Sequence, residues 1–144
     1  KALGTGAHMA QLHRTKAGSF EIENSITLQD LEDAMWYWKS AGNEKLLRHC
    51  IKPAEEIVAG LEKVWIADEA VDNVCHGAPL FLPGVVKLTN GIAQEDLVAI
   101  MSLKNELVGL GKAQLTSKEM IGGKKGLAVK TDVVLMQEGT YKRF

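Results

Sequence analysis

The spacing of apolar positions predicts helices before residue 62 and short strands after it. Residues 27–41 place apolar side chains on one helical stripe, namely Leu28, Leu31, Met35 and Trp38. Thr27 followed by Asp30 gives this segment a capping-box-like start. A second helical pattern runs over residues 44–61, and Pro53 inside it should split or kink the helix near Lys52. Two helical segments are therefore expected in the first part of the chain.

Short apolar runs take over from residue 62. Val64–Ile66 predicts a strand, and Asp68 is expected to cap a short helix over Glu69–His76 that Gly77 closes. Further strand-like runs occupy residues 85–88, 97–103, 107–115 and 126–136. Gly122-Gly123 and residues 117–119 are interpreted as turns between them. Short strands at this spacing are typical of a small β-barrel or sandwich.

Residues 5–26 are interpreted as extended chain, with partial alternation over residues 8–15 and a turn at residues 16–19. The expected fold class is α+β: a strand-and-helix segment over residues 1–61, then a small β-barrel-like domain over residues 62–144. The boundary is predicted at Gly60–Lys63, where the apolar pattern changes from helical to strand-like.

Composition fits this picture without deciding the function. The 144 residues are 46% hydrophobic and 24% charged, as in ordinary globular domains. The net charge of −1 argues against a general nucleic-acid binder, although residues 1–20 carry +3, residues 21–72 carry −7 and residues 73–144 carry +3. No apolar run approaches the ~20 residues of a membrane span, and the opening residues lack a secretory signal pattern. Cys50 and Cys75 form no CxxC motif, so reduced thiols and a cytoplasmic location are expected.

Catalytic and metal chemistry find little support. His49-Cys50 and Cys75-His76 have the ligand count of a zinc site, but neighbouring helical residues diverge and both cysteines are interpreted as core thiols. Cys75 beside His76 lacks the other parts of a nucleophilic site. Gly122–Gly126 lacks the spacing of a phosphate-binding loop. No metal and no cofactor are expected.

Two segments suit contact with RNA. The Gly- and Pro-containing loop over residues 76–85 offers backbone and apolar surface for an unpaired nucleotide. A packed structural loop explains the same residues equally well. Arg14 and Lys16 lie along an extended edge that could meet phosphate, and a solvated strand edge is the alternative for them.

The same residues resemble a known family. The pattern from Val64-Trp65-Ile66 through His76-Gly77-Ala78 to Pro83-Gly84 is similar to the opening of a PUA domain, most closely that of the archaeal H/ACA pseudouridine synthases of the dyskerin/TruB family. Gly6-Ala7-His8-Met9, with Arg14-Thr15, resembles the motif that closes a TruB-type catalytic domain. The resemblance covers essentially the whole chain.

Function follows from this resemblance as an expectation. It implies that the chain binds the lower stem and 3′ ACA of an H/ACA guide RNA. It also implies contacts with the rest of the synthase and with the small H/ACA ribonucleoprotein proteins, and no membrane partner. The residues it implicates are His76, Gly77, Ala78, Leu80, Pro83, Gly84 and Val85. Charge alone adds Lys87, Lys112 and Lys130, for which a solvated lysine is the alternative.

Departures from the family pattern limit what is expected of this chain alone. His13 replaces a usual arginine, and Pro79 replaces a usual acid. None of its Asp residues occupies the Gly-x-Leu-Asp-Pro-type loop of the family's catalytic Asp, so the chain by itself should be inactive. Two other interpretations stay open, a piece of an active synthase and a protein–protein scaffold that uses the acidic helices over residues 27–61.

Overall fold

The predicted capping box starts the first helix in the computed structural model, which describes residues 4–142. The Asp30 amide donates to the Thr27 hydroxyl at 3.1 Å, and the Thr27 amide donates to the Asp30 carboxylate at 2.8 Å. Helix α1 therefore spans Leu28–Ala41, and a short helix α2 follows over Lys45–Cys50. Pro53 then separates α2 from a 3-10 turn at Ala54–Glu56, as predicted.

The segment before α1 is less regular than its sequence suggests. Among the described residues before α1, Lys16–Ala17 (β1) and Phe20–Glu21 (β2) pair as a tiny antiparallel hairpin. A 3-10 turn occupies Ile22–Asn24. From residue 4 to residue 27, the expected extended conformation therefore gives paired strands at these four residues alone, because the other described residues there have no neighbouring strand to complete a ladder.

The β-rich part contains six strands in one sheet. They are β3 (Glu62–Ile66), β4 (Leu80–Phe81), β5 (Val85–Leu88), β6 (Leu97–Ser102), β7 (Leu107–Ala113) and β8 (Leu127–Val134). Their order is β4-β8-β7-β6-β3-β5, and every neighbouring pair is antiparallel except β3 and β6. The sheet curls into a half-barrel, so the predicted barrel-like architecture is confirmed.

Two short helices lie between the strands, and each differs in detail from what the sequence predicted. Helix α3 spans Asp68–Cys75, and Asp68 is its first residue rather than a cap, since no side chain bonds to its amino end. Helix α4 spans Ser117–Gly122, where turns were expected. It forms because Thr116 and Glu119 make a second capping box.

Apolar side chains lie on both faces of the sheet. One face carries the main core, whose most deeply buried members include Val64, Ile66, Val71, Ile100 and Val129. The other face buries Ala99, Met101 and Leu107 beneath Val58. The Glu55 carboxylate also accepts the Leu107 amide at 2.8 Å, so the segment before β3 is part of this unit.

The described chain divides into two compact units between Pro53 and Ala54. The split lies before the predicted boundary because Val58 is almost fully buried with the β-rich unit. Unit 1 denotes residues up to Pro53 and unit 2 those from Ala54. No helix within residues 4–142 has the length and hydropathy needed to cross a membrane.

Candidate functional site

The carboxyl end of α3 turns into the loop that the sequence singled out. Gly77 has φ = +80°, a left-handed conformation that side-chain-bearing residues rarely adopt. The amides of His76, Gly77 and Ala78 donate to the carbonyls of Asp72, Val74 and Asn73 respectively, at 2.8–3.2 Å. These three amides therefore close the helix, and a ligand at this loop must use side chains, carbonyls or apolar surface instead.

A groove of about 280 Å³ lies between α3 and the loop. Its helix wall is formed by Ala70, Asn73 and Val74, and its loop wall by Ala78, Pro79, Leu80, Phe81 and Gly84. None of these residues is charged. The groove is thus built for an uncharged, flat or apolar group rather than for a phosphate.

Several of the expected contact residues shape this groove instead of offering side chains to it. Leu80 is only 2% exposed and belongs to the core, so its side chain packs inward. Gly84 sits where an added Cβ would lie 3.0 Å from the Ala70 Cβ, and its carbonyl accepts the Ala67 amide. Val85 packs against the core from β5, whereas Pro83 is exposed. Sequence reasoning missed Asn73 and did not name Phe81 within the 76–85 loop, and both residues line the groove and are exposed.

His76 lies between two carboxylates. Its Nδ1 is 3.7 Å from the Asp72 carboxylate and 2.8 Å from the Asp72 carbonyl oxygen. Its Nε2 is 3.5 Å from the Glu138 carboxylate. Segment 137–142 therefore reaches the carboxyl end of α3, and it places negative charge beside the loop.

Lys112 and Lys130 stand directly opposite each other on β7 and β8. Both are exposed, and Leu97 is the partner of Lys112 on the other side. No carboxylate within residues 4–142 forms an ion pair with either ammonium. Like charges in opposing positions destabilise a sheet, so an anion bound here would relieve a repulsion built into the strand register.

A hydrogen bond connects this lysine pair to the loop. The Thr131 hydroxyl, one residue after Lys130, donates to the Ala78 carbonyl at 2.9 Å. Leu80 on β4 pairs with Val129, one residue before Lys130. The structure thus brings the 76–84 loop and Lys112–Lys130 onto adjoining strands, although they are far apart in sequence.

The other basic candidates lie elsewhere. Lys87 is on β5, at the opposite end of the strand order, with its ammonium 4.3 Å from the centre of the Trp65 ring. Arg14 and Lys16 belong to unit 1, where Lys16 forms an ion pair with Glu21 at 3.1 Å. Within unit 2, the strand order therefore separates Lys87 from the lysine pair.

The buried thiol of Cys75 gives no sign of reactivity, whereas Cys50 is only half-buried and is not the core thiol that was expected. Burial first, then the negative charges of Asp72 and Glu138, raise the pKa of Cys75 above its usual value. A protonated, buried thiol is a poor nucleophile. Across the described residues, no group of three or more His, Cys, Asp or Glu side chains is arranged to hold a metal ion.

A buried tyrosine anchors segment 137–142. The Tyr141 hydroxyl donates to the Glu106 carboxylate at 2.5 Å, and the Ser102 hydroxyl donates to the same oxygen at 3.0 Å. These two bonds, Tyr141 first, hold the pKa of Glu106 below its usual value, with a smaller contribution from Lys104. The Lys104 ammonium also lies 5.0 Å from the centre of the Tyr141 ring.

We expect Tyr141→Phe to reduce the dependence of stability on acid pH. A depressed Glu106 pKa adds stability above its unfolded value of about 4.3, and this stability is lost as pH falls through the folded value. The variant should be less stable than the wild type near neutral pH, and the difference should shrink towards about pH 3. Urea unfolding of both proteins at the two pH values measures it. A difference that is the same at both pH values would show that Tyr141 acts through packing alone.

Known families match both parts of the chain. The model described as the PUA domain matches residues 62–135, and the one described as the tRNA pseudouridylate synthase B C-terminal domain matches residues 1–59. A protein of Pyrococcus horikoshii named probable tRNA pseudouridine synthase B is 53% identical over 99% of this chain. The chain covers 43% of that protein.

Solved structures agree. The archaeal box H/ACA sRNP Nop10-Cbf5 complex contains a chain that is 50% identical, with a TM-score of 0.85 over 99% of this chain and 46% of its own length. An H/ACA RNP bound to a substrate RNA containing 2′-deoxyuridine contains one that is 51% identical, with a TM-score of 0.83 over 99% of this chain and 45% of its own length.

The half-barrel with its loop after α3 thus defines a PUA fold, and the chain belongs to the PUA domain family. Its first 59 residues add the carboxyl-terminal domain of the TruB-type synthases, which matches the resemblance found in the sequence. The chain spans less than half the length of the archaeal synthases it matches.

Proposed function

We propose that this chain is an RNA-binding module that holds the lower stem and 3′ ACA of an H/ACA guide RNA, as part of an rRNA or tRNA pseudouridine synthase. One observation carries the proposal: an uncharged groove includes strand β4, and the neighbouring strand β8 carries one of two opposing lysines that have no ion-pair partner within residues 4–142. An unpaired base and its phosphate backbone need these two environments side by side. The similar chains that occur in H/ACA complexes support it.

Lys112 and Lys130 supply the phosphate contacts in this proposal. Two ammonium groups on opposing strands form a compact positive patch that any RNA backbone would neutralise. Lys87 is a weaker phosphate contact, because its ammonium is already drawn to the Trp65 ring. Arg14 and Lys16 are proposed as outlying contacts from unit 1.

The loop over residues 76–85 supplies selectivity. His76 and Pro83 present exposed side chains, Gly77 sets the turn after α3, and Ala78, Leu80, Gly84 and Val85 fix the shape of the groove wall. The shape of the groove and hydrogen bonds to base edges distinguish unpaired bases without a charged group in contact with them. Changes in the loop should therefore alter the choice of RNA more than the overall affinity.

Unit 1 is proposed to contact the rest of the synthase. Several large apolar side chains of α1 are exposed, including Leu28 at 83% and Trp36 at 64%. An apolar surface of this kind favours a protein partner.

We assign residues 1–61 to the carboxyl-terminal part of the TruB-type domain and residues 62–144 to the PUA domain. Uridine isomerisation would need a catalytic Asp from outside this chain, and the free thiols of Cys50 and Cys75 fit the reducing cytoplasm.

Titration of a stem that ends in single-stranded ACA tests the phosphate contacts. Replacing both Lys112 and Lys130 by alanine should weaken binding to ACA and altered stems equally. The slope of log K against log salt should fall by about one unit for each phosphate that the variant no longer neutralises. Lys118→Ala on α4 is the matched control, and its slope should stay near that of the wild type. An unchanged slope in the double variant would place the phosphate-binding groups elsewhere.

Gly77→Val should lose selectivity first. A β-branched residue at φ = +80° forces the loop to change conformation, although an added Cβ meets no atom within 4 Å. Gly77→Asn is the control, because asparagine tolerates left-handed backbone. The ratio of affinities for the ACA stem and an altered stem should fall in the first variant and persist in the second. If the ratio persists in both variants, the loop is structural.

A further inference from the structure

Segment 137–142 follows β8 and contacts unit 2 at two separate points. Near the carboxyl end of the segment, the Tyr141 hydroxyl donates to the Glu106 carboxylate in the turn between β6 and β7. Near its amino end, the Glu138 carboxylate lies 3.5 Å from Nε2 of His76, the residue that caps the carboxyl end of α3. The segment therefore links the β6–β7 turn to the first residue of the 76–85 loop.

Side chains, rather than a strand ladder, hold this segment in place. Among the backbone hydrogen bonds of residues 4–142, the one that the segment makes runs from the Thr140 amide to the Gln137 carbonyl and stays inside it. Tyr141 is 9% exposed and packs in the main core, whereas residues 137–140 are exposed. A segment held by one buried side chain opens at less cost than a strand with a paired backbone. Tyr141 is therefore the latch of the segment.

The thiol of Cys75 lies next to this segment and can report on it. Cys75 directly precedes His76, is 5% exposed and belongs to the same core cluster as Tyr141. Burial first, then the charges of Asp72 and Glu138, raise the pKa of the thiol, so the Glu138 carboxylate is close to it. Movement of the segment away from α3 therefore uncovers a thiol that a reagent can detect.

We propose that segment 137–142 is a clasp that opens and closes as a unit, with Tyr141 as its latch, and that RNA bound at the 76–85 loop holds it closed. The clasp reaches the loop through Glu138 and His76. A loop whose first residue is held in place has less freedom to lose when RNA binds, so closing and binding favour each other. Tyr141 is thus a positioning residue, which acts on the loop through Glu138. The inference rests on the proposed function, because the ligand of the loop is the RNA proposed there.

The rate at which a thiol reagent labels Cys75 measures how often the clasp opens. The full chain carries Cys50→Ser, so that Cys75 is its one remaining thiol. Tyr141→Phe keeps the ring but loses a hydrogen bond to a carboxylate, and it should accelerate labelling about tenfold or more. Tyr37→Phe is the matched control, since it removes the same hydroxyl from a tyrosine of α1 that is 47% exposed. This control should label at the parent rate.

Urea at low concentration distinguishes opening of the clasp from unfolding of the whole unit. Global unfolding exposes much surface and responds steeply to urea, whereas a local opening exposes little. The labelling rates of the parent and of Tyr141→Phe should therefore stay nearly constant at low urea. Equal rates in these two proteins, or rates that rise steeply with urea, would overturn the clasp.

A saturating amount of a stem that ends in single-stranded ACA tests the link to RNA. The bound stem should slow the labelling of Cys75 in the parent about fivefold or more. Glu138→Ala separates this linkage from simple covering of the thiol, because it removes the contact between the clasp and His76. In this variant the bound stem should leave the labelling rate unchanged, whereas covering would slow it as in the parent.

The outcomes separate this inference from the proposed function. If the stem binds but does not slow labelling in the parent, or slows it equally in Glu138→Ala, the linkage is wrong and the proposed function stands. If the parent binds no stem, the proposed function fails and the linkage with it. The comparison of Tyr141→Phe with the parent needs no RNA, so it decides on the clasp itself in either case.

Discussion

Gly111→Ala is expected to destabilise unit 2 by about 3 kcal/mol or more, enough to threaten folding. Gly111 lies in β7 beside a bulge, opposite Thr131 on β8. An added Cβ would overlap the Lys130 carbonyl oxygen and lie 2.7 Å from a methyl group of Val129. The carbonyl belongs to the backbone of β8, so it cannot move aside without separating the two strands.

Gly122→Ala is the matched control. Gly122 is the last residue of α4, and an added Cβ meets no atom within 4 Å. Alanine in a helix is favoured over glycine by up to about 1 kcal/mol, so this variant should be as stable as the wild type or slightly more stable. Urea unfolding followed by circular dichroism gives both values. Equal unfolding midpoints for the two variants would contradict the tight approach of β7 and β8.

The second large effect is expected on cutting the chain between the units. Residues 54–144 alone should fold cooperatively, and residues 1–53 alone should not. Unit 2 buries a core on both faces of its sheet, including Ile66, Leu80 and Ile100. Among the described residues of unit 1, Ala34 is the one buried apolar side chain. Hydrophobic burial of that size does not offset the conformational entropy of about fifty ordered residues.

Thermal unfolding of the two fragments and of the full chain measures this difference. The 54–144 fragment should show a single transition close to the main transition of the full chain, and the 1–53 fragment should show none. The charged helix surface of α1 makes the second fragment soluble enough to examine by circular dichroism. A cooperative transition in residues 1–53 would mean that unit 1 has a core of its own.

Local signals in the sequence determined much of the fold. The Thr27–Asp30 box starts α1, and Pro53 separates the second helical segment. Gly77 ends α3 in the left-handed conformation its position predicted. A second box, Thr116 with Glu119, was present in the sequence too, but α4 is too short to show a helical period and was interpreted as a turn. Such signals act between residues three or four apart, so they can be recognised in the sequence without knowledge of the tertiary structure.

The candidate site depended on contacts that no local signal contains. Lys112 and Lys130 face each other only because of the strand register, which a bulge at Leu110–Gly111 shifts by one residue. The motif that carries the family resemblance includes Leu80, but only burial shows that its side chain packs inward.

The sequence by itself therefore determined the family and the strand-rich second half, and it singled out the 76–85 loop as a candidate site. The tertiary structure decided which side chains share a surface: it placed Asn73 and Phe81 in one groove and put Lys87 at the other end of the strand order from Lys112 and Lys130. The physical reason is that helix caps and turns are set by neighbouring residues. Grooves and charge pairs arise where distant segments pack, and a change of one residue in register would move every side chain to the other face.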